Sequence, residues 1–117
     1  MINASETTWP KELDAMIAAP EHHTLLMEND RVRVLDSIVR PGESTPVHTH
    51  EWSGVLYILG ISDFVRYDSK GEILFDSRES AEKTTPGQAI WSGPLEPHYV
   101  TNVGEGEIRV ISIELKG

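Results

Sequence analysis

The sequence has no cysteine among its 117 residues. This excludes disulfide bonds, thiolate metal ligands, iron–sulfur clusters and cysteine nucleophiles. Positive charge is also scarce, because 10 Lys and Arg face 19 Asp and Glu, for a formal net charge of −9. Such a balance argues against nucleic acid and anionic membranes as partners, since phosphates would be repelled. No apolar run approaches the ~20 residues that a transmembrane helix requires.

Length and composition indicate one globular domain that spans residues 1–117. The 38% apolar and 25% charged fractions are typical of a globular chain, and the length allows one core but not two. The first residues, Met1–Glu6, have neither the basic region nor the apolar region of a signal peptide. Together with the absence of disulfides, this leads us to expect a cytoplasmic protein.

The start of the chain predicts a short helix over residues 10–19. Leu13, Met16 and Ile17 fall at i, i+3 and i+4, which places three apolar side chains on one side. A proline stands at each end of this segment, where it suits the first helical turn and stops the last.

After the helix the pattern changes to that of short β-strands. Apolar residues alternate with polar ones or form short runs, and tight-turn residues separate the segments. The clearest segments are Arg31–Arg40, Gly54–Gly60, Asp63–Asp68 and Ile111–Leu115. Many short strands with tight turns predict a sandwich or barrel.

Three histidines suggest a metal site. His48 and His50 are two residues apart, so in a strand both imidazoles lie on one face, roughly 6.6 Å apart along the chain. His98, further along the chain, can complete a set of three ligands around one ion. The alternative is that the imidazoles only form hydrogen bonds inside a polar pocket.

Two spaced motifs give the chain a family resemblance. The first motif begins with glycine, five residues and then His-x-His; its matches are Gly42, His48 and His50, with Gly60 near its end. In the second motif the matches in order and spacing are Gly87, His98 and Asn102. Its inner proline and glycine positions hold Gly93 and Leu95. On these residues the chain resembles a small single-domain cupin, which implies an all-β, RmlC-like jelly-roll barrel, the double-stranded β-helix, with a short N-terminal helix. The resemblance covers about residues 31–115.

One position departs from the cupin pattern. The motif's glutamate, usually a fourth metal ligand, should fall at Gly54 or Ser53, and neither residue can act as a carboxylate ligand. Glu51 is directed to the opposite face if the strand continues. The resemblance therefore implies one divalent metal ion held by His48, His50 and His98. Fe(II) is favoured by the likeness to three-histidine dioxygenases, while Zn, Ni, Mn and Cu stay open.

Two functional classes remain open. The first is an Fe(II)-dependent, dioxygenase-like enzyme acting on a small anionic or chelating metabolite; the second is a non-catalytic binding or sensing module. No catalytic residue is assigned from the sequence. Gly54, Tyr57 and Trp91 are expected to line the substrate pocket, and Asn102 to fix a turn. His22 and His23 precede the predicted strands, and we expect both to be exposed.

The resemblance also implies a homodimer. Such a dimer could bury apolar residues near the start of the chain, namely Ile2, Trp9 and the Leu13–Ile17 stripe. The alternative is that the helix folds back onto its own barrel.

Overall fold

The computed structural model describes residues 9–117, which form nine strands and little helix. A 3₁₀ turn at Lys11–Leu13 precedes the short helix α1 (Ala15–Ala18), and a second 3₁₀ turn lies at Ser77–Glu79. The strands are β1 (His23–Glu28), β2 (Val32–Val39), β3 (His48–His50), β4 (Gly54–Gly60), β5 (Phe64–Asp68), β6 (Ile73–Asp76), β7 (Ala89–Ser92), β8 (Leu95–Asn102) and β9 (Ile108–Leu115).

The strands form two antiparallel sheets. The five-stranded sheet has the order β1-β2-β9-β4-β7, and the four-stranded sheet has the order β3-β8-β5-β6. The chain crosses between the sheets several times, which is typical of a jelly roll. The predicted all-β fold with a short N-terminal helix is therefore confirmed. None of the helices in the described part of the chain has the length and hydropathy that a membrane span requires.

The N-terminal segment differs from the predicted helix over residues 10–19. The backbone of Asp14 is extended, with φ −53° and ψ 141°, so it separates the 3₁₀ turn from α1, and its side chain caps α1 by accepting a bond from Met16 N. The buried face consists of Ala15 and Ala19, whereas Ile17 is 61% exposed. Small side chains let α1 contact β1 and β3 closely. Ile2 lies outside the described residues.

The barrel also begins earlier than expected. Strand β1 starts at His23, before the predicted boundary at residue 31. Its register shifts between Leu25 and Met27, so its side chains do not follow one strict alternation. The predicted turn role of Asn102 is confirmed, because its amide donates to the carbonyls of Val39 and Gly106 and accepts from Gly104 N.

The five-stranded sheet has an unusual distribution of polarity. On β2 and β9 the inward-facing side chains include the polar Arg33, Ser112 and Glu114 as well as the apolar Leu35, while Val34 and Ile113 lie on the outer face. A continuous apolar row, which we call the outer row, crosses all five strands of that face. Its members occupy one register line: Met27, Val34, Ile113, Val55 and Trp91.

Candidate metal centre

Four histidines from three strands meet between the two sheets. This histidine cluster consists of His23 on β1, His48 and His50 on β3, and His98 on β8. The ring centroid of His48 lies 4.8 Å from that of His23, 5.1 Å from that of His50 and 4.4 Å from that of His98. The centroids of His50 and His98 are 6.0 Å apart.

Strand pairing explains why these rings converge. His48 and His98 are direct partners in the antiparallel β3–β8 pair, so their side chains stand on the same face. His50 shares that face by the two-residue period. His23 comes from the other sheet, where α1 and the following turn deliver the first residue of β1 against the rings of β3.

Every ring in the cluster is held at Nδ1 by an acceptor. His23 donates to the carbonyl of Ala19 at 3.0 Å, His48 to that of Pro46 at 2.8 Å and His98 to that of Glu96 at 2.6 Å. His50 donates to Oε2 of Glu114 at 2.7 Å. Because carbonyl and carboxylate oxygens only accept, each Nδ1 carries a proton, and in a neutral ring this leaves Nε2 with its lone pair. Metal-ligating histidines usually make this kind of second bond.

Three rings of the cluster, those of His23, His48 and His98, are neutral at physiological pH. Burial lowers the pKa of His23 and of His48 to about 3, and the neighbouring His50 adds to both shifts. The pKa of His98 is lowered to about 4, mainly by burial and then by His50 and the positive charge of Arg66. Neutral imidazole is the form that binds a metal ion.

These residues fit a divalent metal ion. The ligand nitrogens of His23, His48 and His50 lie within 4.8 Å of one another. One ion at roughly 2.0–2.1 Å from each nitrogen requires ligands about 3–4 Å apart, so a small rotation of the rings completes the set. His98 packs against His48 and can supply a further nitrogen.

Part of this cluster could be predicted from the sequence. The two motifs indicate His48, His50 and His98, whose joint role as metal ligands stays a prediction. The expectation that His23 is exposed is wrong, because this residue is 5% exposed and lies against β3. His22 is half-buried, and its Nδ1 bonds the carbonyl of Ile38. The signal for His23 was absent because β1 lacks the alternation that marks a strand.

Gly54 is glycine because the neighbouring backbone is too close for a side chain. It pairs with Glu114, and a Cβ at this position would lie 2.0 Å from the carbonyl oxygen of Ile113. The motif position therefore cannot hold a carboxylate without moving β9. The carboxylate in this region is Glu114, which reaches the cluster through His50.

We expect Gly54→Ala to lower the free energy of unfolding of the metal-free protein by about 3 kcal/mol, the upper end for an overpacked site. The added Cβ overlaps backbone, which cannot rotate away as a side chain can. Urea denaturation measures the change. Gly93→Ala is the matched control, because a Cβ there meets no atom within 4 Å. Equal stability of the two variants would contradict this reason for Gly54.

Glu114 belongs to a buried ionic network. Its Oε1 accepts from Nε of Arg33 at 2.6 Å, and Arg33 forms a two-pronged pair with Asp14 at 2.9 Å. Burial alone would raise the pKa of Glu114, but the bonds from His50 and Arg33 hold it below its usual value. The network thus links the cap of α1 to one ring of the histidine cluster.

Two cavities adjoin the cluster. Gly54, His50 and Glu114 are among the residues around a cavity of about 30 Å³, which suits one or two water molecules. A larger cavity of about 260 Å³ contains His98 and Arg66 in its wall.

The expected positions of Tyr57 and Trp91 need correction. Both alternate away from Gly54 and Ile90 and lie on the outer face of the five-stranded sheet, where Tyr57 is 41% and Trp91 64% exposed. Neither residue is in the wall of the two cavities beside the histidine cluster.

Comparison with known proteins locates the fold. No protein-family model matches the sequence, and no curated protein matches it. A cupin domain from Bordetella pertussis Tohama I is similar in structure, with a TM-score of 0.65 and 22% identity over 81% of this chain and 92% of that one. An RmlC-like cupin from Methanocaldococcus jannaschii has a TM-score of 0.56 at 12% identity over 80% and 78%. The polyketide cyclase RemF from Streptomyces resistomycificus has a TM-score of 0.55 at 22% identity over 100% and 79%. The protein therefore has the cupin fold, an RmlC-like double-stranded β-helix.

Proposed function

We propose that the protein binds one divalent metal ion through the histidine cluster and uses it to hold a small anionic or chelating ligand. The observation that carries this proposal is the convergence of imidazoles whose Nδ1 atoms are already bonded, among which His23 and His48 are buried and neutral. Packing alone does not require such an arrangement, because apolar residues would fill the space without the cost of burying polar groups.

The ligand class follows from charge. Imidazoles are neutral, so they leave the +2 charge of an ion uncompensated, whereas a carboxylate ligand would offset part of it. Glu114, the carboxylate bonded to the cluster, already shares its charge with Arg33. An ion bound here would therefore attract an anionic or chelating molecule to its open positions.

As the reaction we propose Fe(II)-dependent, dioxygenase-like oxidation of such a molecule. When bound, Fe(II) supplies the redox chemistry with O₂. The chain then has to bind and orient the substrate, which the cavity wall that contains His98 and Arg66 can do. An acid–base enzyme receives less support, because Tyr57, whose hydroxyl was expected in the substrate pocket, lies on the outer face.

The test uses protein purified without a histidine tag, stripped of metal and reloaded anaerobically with Fe(II) or Zn(II). O₂ uptake is then followed with thiols, diketones and small carboxylates. We expect uptake with at least one compound, in the Fe(II) form alone, and its loss in His48→Ala. Binding of these compounds without any O₂ uptake would contradict the oxidation and favour the non-catalytic alternative.

The second candidate is a module that binds a metal or small molecule without turnover. The cavity at His98, about 260 Å³, is slightly smaller than the ~300–1,000 Å³ of pockets for drug-sized ligands, so it suits a small ligand in either candidate function. The cytoplasmic location expected from the sequence stays a prediction.

We further propose a homodimer that forms through the outer row. The row is apolar across five strands, and the nearby Asp36 and Arg109 neutralise each other in an ion pair of 2.7 Å. Such a face can meet a second copy of itself in spite of the acidic net charge. This surface differs from the helix stripe that the sequence suggested.

For this dimer we expect light scattering to give twice the chain mass at micromolar concentration. Trp91→Glu should shift the mass to that of a monomer, because it places a charge in the apolar row. Ile73→Glu is the control, since Ile73 is equally exposed but lies in the four-stranded sheet. A monomeric parent would contradict the proposal.

A further inference from the structure

Arg66 stands beside the histidine cluster in an unusual environment. On β5 it pairs with Val100, and two residues further Asp68 pairs with His98. Arg66 and His98 therefore share one face of the four-stranded sheet, and both contribute to the wall of the 260 Å³ cavity.

Within residues 9–117, the guanidinium of Arg66 has no carboxylate partner and no hydrogen bond. Four other arginines form ion pairs: Arg33, Arg40, Arg78 and Arg109. Its guanidinium instead faces the aromatic ring of Phe75, whose centroid lies 5.9 Å from the Cζ of Arg66. Burial lowers the pKa of Arg66, and no opposite charge from the described residues offsets this effect.

An unpaired guanidinium that is largely removed from water destabilises a fold. Its planar fork matches a carboxylate in two parallel hydrogen bonds, so a carboxylate ligand would relieve this cost. Because burial keeps His98 neutral, Arg66 is the positively charged residue in the wall of this cavity that an entering anion would meet.

The rest of the wall limits the ligand further. Most of it is apolar, formed by Trp9, Leu74, Pro94 and Leu95. Glu96 is exposed at the same cavity, where its charge disfavours a second carboxylate. These surroundings suit a small molecule with one carboxylate and an apolar body.

We propose that Arg66 binds the carboxylate of a small organic acid in the cavity it shares with His98. The assignment narrows the ligand class of the metal centre and, in that respect, rests on the proposed function. The guanidinium contact itself needs no metal, which allows the two ideas to be tested separately.

The experiment compares acids with their neutral amides of equal size. Acetate and acetamide, and phenylacetate and phenylacetamide, are titrated into metal-free parent, Arg66→Met and Arg66→Lys proteins and followed by NMR. We expect the parent to bind one acid at least tenfold more tightly than its amide. Arg66→Met should abolish this preference and Arg66→Lys should keep part of it. Arg40→Met, at an exposed arginine, should leave it unchanged.

Stability gives an independent measurement. Because Arg66→Met removes an unpaired charge, its melting temperature without ligand should equal or exceed that of the parent. Equal affinity of the parent for acid and amide, including no binding of either, would overturn the proposal, as would an unchanged preference in Arg66→Met. If the preference is intact but no metal binds, only the proposed metal function fails.

Discussion

We expect the His23→Ala/His48→Ala double variant to bind no Zn(II) or Fe(II) at concentrations that saturate the parent. These two residues belong to the group whose ligand nitrogens lie within 4.8 Å. The remaining rings, His50 and His98, have centroids 6.0 Å apart. They could provide at most two ligands to one ion. We expect the metal affinity to fall by more than ~10²-fold, which is the upper end for loss of a residue that only hydrogen-bonds to a ligand.

The measurement is metal content by mass spectrometry after dialysis against a weak chelator, with untagged protein. His22→Ala is the matched control, because His22 is adjacent to the cluster in sequence but bonds the carbonyl of Ile38 instead. Far-ultraviolet circular dichroism should remain that of a β protein in every variant. Full metal content in the double variant would refute the metal centre.

Single variants distinguish the ligand set indicated by the structure, which includes His23, from the set predicted from the sequence, which includes His98. If the ion is held by His23, His48 and His50, then His23→Ala should weaken binding strongly and His98→Ala less. If the ligands are His48, His50 and His98, the order is reversed. Similar losses in both variants would indicate that all four rings contribute.

The two-residue period of the strands could be predicted from the sequence. Which face of a strand points to the interior could not. In β9 the alternation of Ile111, Ile113 and Leu115 with polar residues was plain, and apolar residues normally face the core. Here Ser112 and Glu114 face inward instead. The interior contains a polar site, so burial of the polar face is stabilised by hydrogen bonds that local sequence does not reveal.

The candidate site was predictable as far as it depended on local spacing. His48 and His50 share a face through the strand period, and the spacing of the second motif identified His98. His23 and Arg33 reach the site through pairing between distant segments, β1 with β2 and β2 with β9. Such long-range register cannot be read from one sequence. The unpaired state of Arg66 among the described residues is likewise visible only in the structure.

Glu114 is the residue whose loss should affect both folding and metal binding. Glu114→Ala would leave the Nδ1–H of His50 and the Nε–H of Arg33 without their acceptor in a buried region. Each unpaired buried donor costs about 1–3 kcal/mol, and removing one member of a buried ionic group costs roughly 3–5 kcal/mol. We expect the free energy of unfolding of the metal-free protein to fall by roughly 3–5 kcal/mol.

Glu114→Gln separates the two roles, because the amide keeps the shape but accepts through one oxygen only. It can satisfy Arg33 or His50, so the loss of stability should be smaller, while the metal affinity should fall by about 10–100-fold. Urea denaturation and competition with a chelator measure the two effects. Glu107→Gln, at an exposed glutamate 4.0 Å from Arg40, is the control and should change neither by a measurable amount. If Glu114→Gln binds metal as tightly as the parent, then Glu114 stabilises the fold through Arg33 and does not support His50 as a ligand.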